Sequence, residues 1–91
     1  VIEIKSEDEF NTAINHPFSV IDFYAKWCGP CKRMNPYLEK MKSEMKDDLV
    51  IISIDVDQNE SLAQALKIES LPTLILYENQ KSIWKNMRKI L

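Results

Sequence analysis

Glycine is almost absent: one stands in 91 residues, Gly29. A chain that spends its only glycine at one place is expected to need close turning there more than anywhere else. Cysteine is nearly as scarce, with two, and there is one histidine, His16. Zinc takes four ligands, and beyond two thiolates only His16 could complete a cysteine–histidine set, which argues against a zinc site. No apolar run approaches the roughly 20 residues of a membrane span. A net charge of −2 leaves no broad basic surface for nucleic acid. Repeats, linkers and low-complexity segments are missing, and no signal peptide is recognisable, although the chain starts at Val1 rather than Met.

What remains is an ordinary soluble composition, 45% hydrophobic and 29% charged, of a length that makes one domain over residues 1–91. A chain of this size buries only about 60–65% of its extended surface, so the core is modest.

Both cysteines fall in Trp27-Cys28-Gly29-Pro30-Cys31. The apolar run Val20 to Ala25, broken only by Asp22, leads into them. Met34, Leu38, Met41 and Met45 follow at three- and four-residue steps, which is helical spacing. The pair therefore lies where a buried strand hands over to a helix. As a structural disulfide it closes a four-residue loop, stabilises by only about 2 kcal/mol and pins no distant elements together. Position and spacing both point to redox chemistry.

Along the chain, Val1 to Ile4 alternates as a short strand, and Ser6 with Glu9 forms a capping box for a helix that buries Phe10, Ala13 and Ile14. His16-Pro17 ends that helix. Ser19 to Ala25 is apolar on both faces, as in a central strand covered on both sides. A long helix is expected from Pro30, kinked at Pro36. Leu49 to Val56 is a second central strand, and Asn59 or Ser61 caps a short helix carrying Leu62, Ala63, Ala65 and Leu66. Thr73 to Tyr77 and Ser82 to Asn86 are strands joined by the polar turn Glu78 to Lys81. The order β-α-β-α-β-α-β-β predicts an α/β fold with a mixed sheet, parallel crossovers first and an antiparallel hairpin last. Asp55-Val56-Asp57-Gln58-Asn59 begins like a calcium loop, but Glu60 stands where glycine is required and Leu66 where the bidentate glutamate belongs.

With these elements in place the sequence resembles the thioredoxin family over nearly its whole length. The resemblance rests on the element order, Asp22 ahead of the Trp27–Cys31 motif, Asp57-Gln58-Asn59 after the third strand, and Leu71-Pro72-Thr73. It implies the thioredoxin fold, a central mixed sheet with helices on both faces. Three departures stand out. The chain stops at Leu91, about where the family's last helix begins, so that helix is expected to be missing or truncated. Gln80 and Arg88 stand in a region where glycines are usual. Ser53 stands where many bacterial relatives carry a lysine near Asp22.

The resemblance also implies a mechanism. Cys28, just ahead of a helix start, is the nucleophile: amides and macrodipole favour its thiolate, and its sulfur is expected to be the exposed one. Cys31, inside the first turn, resolves the mixed disulfide. Asp22, an ionisable group in a buried strand, is the proton acceptor for Cys31, with its pKa raised by desolvation. Gly29-Pro30 goes with reducing members of the family. Pro72 corresponds to a cis-proline that faces the cysteines and presents Leu71 to a substrate chain, while Trp27 offers a flat contact surface. Lys26, Lys32 and Arg33 either steer acidic partners or form a solvated face. The implied activity is protein-disulfide reduction, donating electrons to cytoplasmic proteins and maintaining redox homeostasis. Re-reduction comes from thioredoxin reductase using NADPH, so the chain itself holds no cofactor and no metal. A monomer without nucleic-acid or membrane partners is expected. Two other readings stay open: an oxidase or isomerase module of an oxidising compartment, and a redox-inactive scaffold.

Overall fold

The structure, a computed structural model, describes residues 2–87. Val1, Arg88 and the expectation about a C-terminal helix lie outside the described residues. Five strands form one sheet in the order β1-β3-β2-β4-β5. These are β1 (Ile2–Glu3), β2 (Phe18–Tyr24), β3 (Leu49–Asp55), β4 (Thr73–Glu78) and β5 (Lys81–Met87). β1 and β2 run parallel to β3, while β4 runs antiparallel to both β2 and β5. The mixed sheet read from the element order is the one observed. Among the described residues no helix is long and apolar enough to cross a membrane.

Strand alternation splits the core into two layers. On one face Ile21 and Phe23 of β2, Val50, Ile52 and Ile54 of β3, and Ile75 and Tyr77 of β4 pack with Phe10, Ala13 and Ile14. Phe10 lies in α1 (Glu7–Ala13), and its ring meets Tyr77 edge-on at 5.7 Å. Leu62 of α4 (Glu60–Ala65) joins the same layer. On the opposite face Val20, Leu49, Ile51 and Leu74 pack against Met34 and Leu38. Because successive strand residues point to opposite sides, the even-numbered positions of β2 put Asp22 and Tyr24 on this second face, below the cysteines.

Local signals explain most boundaries. Ser6 Oγ accepts from the Glu9 amide at 3.1 Å, as the capping box requires. Glu9 returns its carboxylate one residue further out than expected, to the Lys5 amide at 2.9 Å. The long helix is not continuous. It divides into α2 (Gly29–Lys32) and α3 (Asn35–Met45), and Pro36 falls in the first turn of α3. Proline has no amide to offer the Lys32 carbonyl and its ring crowds that oxygen, so the helix breaks and restarts rather than kinks. Asn59 is the N-cap of α4, but its side chain does not cap. Its amide nitrogen donates instead to the Asp55 carbonyl at 3.0 Å, tying β3 to the helix that follows.

The left-handed positions fall on residues other than glycine: Lys46, Lys67, Asn79 and Gln80 have φ of 54, 59, 51 and 74°. Lys67 closes α4 in a Schellman pattern, its amide reaching the Gln64 carbonyl at 3.0 Å and the Ile68 amide the Ala63 carbonyl at 2.9 Å. Asn79 and Gln80 make the two-residue turn between paired Glu78 and Lys81, where a type I′ geometry matches the sheet twist. Gly29 is not among them. Its φ is not positive, and a Cβ added there would meet nothing within 4 Å. The expectation that this glycine serves a close turn is therefore corrected: it occupies the first position of a helical turn, a conformation open to any residue.

Candidate active site

β2 ends at Tyr24, and the chain turns through Ala25, Lys26 and Trp27, with the Cys28 amide donating to the Ala25 carbonyl at 3.0 Å. This turn delivers Cys28 as the N-cap of α2, with Pro30 in the first turn and Cys31 one turn on. The two cysteines are joined as a disulfide, their Cα atoms 5.4 Å apart. Cys28 Sγ also accepts from the Cys31 amide at 3.2 Å. The same amide stands ready to support negative charge on that sulfur once the disulfide opens. With α2 only four residues long, this local bond takes the role assigned to a long helix's macrodipole.

The sequence reading has Cys28 as the exposed sulfur of the pair. In this oxidised state both cysteines are 4% exposed, packed with Ala25, Tyr24, Val56 and Leu71. Both cysteines sit in one apolar patch. Gly29 and Pro30, by contrast, reach the surface above them. Leu71 is half-buried against the cysteines, Pro72 is buried, and the Leu71–Pro72 peptide bond is cis. Trp27 is 71% exposed, and its Nε1 donates to Asp57 Oδ2 at 2.9 Å. Asp57 is oriented in turn by its own amide, which donates to Asp55 Oδ1 at 2.9 Å. Lys26, Lys32 and Arg33 are exposed.

Asp22 sits beneath this loop, 4% exposed, its Oδ1 buried without a hydrogen-bond partner. Burial pushes its carboxyl up from 3.8 to about 6. It shares a cleft of about 470 Å³ with Cys31, Ser53, Tyr24 and Glu3. Ser53 is the in-register partner of Asp22 on β3, so the position that would hold a lysine supplies a neutral hydroxyl instead. Across the cleft mouth the Tyr24 hydroxyl donates to Glu3 Oε2. Burial first, then this bond and the nearby carboxylates, push the Tyr24 phenol up. Among the described residues no group of three or more His, Cys, Asp or Glu side chains is arranged to hold a metal ion.

A dithiol–disulfide pair between a strand and a helix, with a cis-proline loop packed near it, has counterparts among known proteins. The family model for thioredoxin matches residues 1–89. This chain belongs to the thioredoxin family. It is 32% identical over 87 residues to the thioredoxin of Chlamydia trachomatis, a match covering 96% of this chain and 84% of that protein. It superposes on the crystal structure of oxidised mitochondrial thioredoxin 3 from Saccharomyces cerevisiae with a TM-score of 0.88. That match has 33% identity and covers 96% of this chain and 82% of the yeast chain. It is also 39% identical over 64 residues to the bifunctional thioredoxin reductase/thioredoxin of Mycobacterium leprae, 70% of this chain and 14% of that one. As a thioredoxin with both cysteines at disulfide distance, the protein is a dithiol–disulfide oxidoreductase.

Sequence reasoning named the cysteines, Asp22, Trp27 and the Leu71-Pro72 pair, and the fold gathers them at one end of the sheet. It did not find Tyr24, Glu3 and Asp57 as neighbours of the site. The period-two pattern of β2 puts Tyr24 on the Asp22 face. Glu3 and Asp57 reach the site only through strand register and a loop contact, which leave no local signature.

Proposed function

We propose that this thioredoxin is a general protein-disulfide reductase, an electron donor to proteins of a reducing compartment, the cytoplasm. The observation that carries it is the arrangement of Cys28 as an amide-supported N-cap sulfur over a cleft holding both Cys31 and the buried Asp22. Cys28 thiolate attacks a substrate disulfide, forming the mixed disulfide and expelling one substrate thiolate. Asp22 takes the proton of Cys31, and the Cys31 thiolate attacks Cys28 Sγ. The second substrate thiolate leaves, and the electron pair has passed from this chain to the substrate. An Asp22 carboxyl held near 6 accepts a proton more readily than an ordinary carboxylate and is still ionised at pH 7.

Leu71 packs against the disulfide and Trp27 lies exposed beside it, which fits both as contacts for a substrate chain. Re-reduction falls to a thioredoxin reductase using NADPH. The bifunctional protein of Mycobacterium leprae, by its name a reductase and a thioredoxin in one, supports that partnership. On this reading the chain acts as a monomer, with no cofactor of its own and no nucleic-acid or membrane partner. The reduction potential tests the proposal. Equilibration with graded glutathione buffers, followed by alkylation and mass measurement, is expected to place the Cys28–Cys31 pair near or below about −220 to −260 mV. A value near about −180 to −120 mV would move the protein to an oxidase or isomerase role in an oxidising compartment. Thiols that fail to titrate would make it a scaffold.

A further inference from the structure

Three polar side chains stand in one row across the sheet below the cysteine loop. Glu3 on β1 pairs with Ser53 on β3, and Ser53 pairs with Asp22 on β2. Residues paired in register project to the same face, and all three line the cleft that Cys31 also lines. Exposure rises along the row: Asp22 is buried, Ser53 half-buried and Glu3 exposed. The Tyr24 hydroxyl holds the Glu3 carboxylate at the outer end. The other charged groups on the cleft are Lys26 after β2, Lys32 of α2 and Glu39 of α3, all three exposed. No cation stands in the row itself.

We propose that Ser53 is a proton-relay residue, its hydroxyl passing the proton that Asp22 takes from Cys31 outward to Glu3 and water. The inference rests on Asp22 acting as proton acceptor. In the forward cycle Cys31 loses a proton to Asp22 and its sulfur forms the bond to Cys28 as the substrate sulfur leaves. Asp22 then gives the proton to the Ser53 oxygen, which releases its own to Glu3, and Glu3 exchanges it with solvent. No net charge stays behind, and the departing substrate thiolate takes its proton from bulk water. A hydroxyl suits this task because it donates and accepts at once. A lysine ammonium at the same place can only donate, and it fixes a charge beside the acid. No direct hydrogen bond joins Asp22 to Ser53 or Ser53 to Glu3, so each transfer runs through water, for which the cleft has room.

The test is steady-state reduction of a disulfide-bonded protein at saturating dithiothreitol, run in H₂O and D₂O, with and without imidazole as a small proton carrier. Ser53→Ala is expected to slow turnover about tenfold, below the roughly 10²–10⁴ of a direct acid or base because Ser53 acts one transfer away. Its solvent isotope effect should rise, and imidazole should restore the rate while leaving the wild type unchanged. Ser53→Thr keeps the hydroxyl and should match the wild type. The relay is overturned if Ser53→Ala turns over at the wild-type rate, or if it is slow and imidazole does not recover it. A packing defect would show as Ser53→Thr being equally slow, which also overturns it. Asp22→Asn separates the two readings. Wild-type turnover in Asp22→Asn sinks the acceptor role itself, whereas a slow Asp22→Asn beside a normal Ser53→Ala sinks only the relay.

Discussion

Replacing Asp22 with asparagine removes an ionisation from the protein interior without changing side-chain size. In the unfolded chain this carboxyl titrates at its ordinary value of 3.8; in the folded protein burial raises it to about 6. Below pH 3.8 both states hold the proton, and above pH 6 both have released it. Between these limits the folded state keeps a proton that the unfolded chain has lost. Stability due to Asp22 is therefore full at low pH and falls as pH rises through the window. At 1.36 kcal/mol per pH unit the loss is on the order of 3 kcal/mol. The physical origin is a carboxylate with one oxygen buried and unpaired, flanked in the sheet by the neutral Ser53 and the apolar Leu74. Urea unfolding of oxidised wild type and Asp22→Asn from pH 3.5 to pH 8 measures this directly. The difference in unfolding free energy is expected to move in favour of Asp22→Asn by about 3 kcal/mol between the ends of the series, with its midpoint near pH 5. A difference that stays flat within about 0.5 kcal/mol would refute the burial argument, because other titrating groups cancel between the two proteins.

The remaining predictions concern backbone and core. Gly29→Ala is expected to stabilise the fold by about 0.4–1 kcal/mol, since the position has an ordinary φ and empty space, and the unfolded chain loses freedom. Turnover on a protein substrate should fall at the same time, because Gly29 lies exposed between the cysteines where a substrate chain approaches. Lys67→Gly should add about 1 kcal/mol in chemical denaturation by relieving a left-handed φ of 59°, and Gln80→Gly less, because it gives up a bond to Asn15. Ile52→Ala should cost about 2–5 kcal/mol, since Ile52 is fully buried at the centre of the first core layer.

Much of the fold was legible because strand and helix periods are written in side-chain order. The β-branched runs gave β2 and β3 to within a residue or two, since apolar residues on both faces suit only a sheet covered on both sides. Helix continuity was misread at Pro36, where a proline that a long helix can tolerate as a kink instead falls just after a break at Arg33 and Met34. Gly29 was misread because glycine's permissiveness shows only that a left-handed turn is allowed. The left-handed turns were taken by Lys67, Asn79 and Gln80, where capping and hairpin bonds outweigh the steric cost.

The sequence by itself determined the chemistry: two cysteines at helical spacing after a buried strand, an acid within that strand, and a distant Leu-Pro-Thr. Those features are local, so they survive being read in one dimension. Tertiary structure alone decided what surrounds them. Strand register set Glu3, Ser53 and Asp22 side by side, although they come from three separate segments. A loop contact tied Trp27 to Asp57, and packing left Cys28 and Cys31 equally buried in the disulfide state. The depth of Asp22, and with it the rise of its pKa, comes from helices packed over the sheet, because desolvation sums contributions from every neighbour in space.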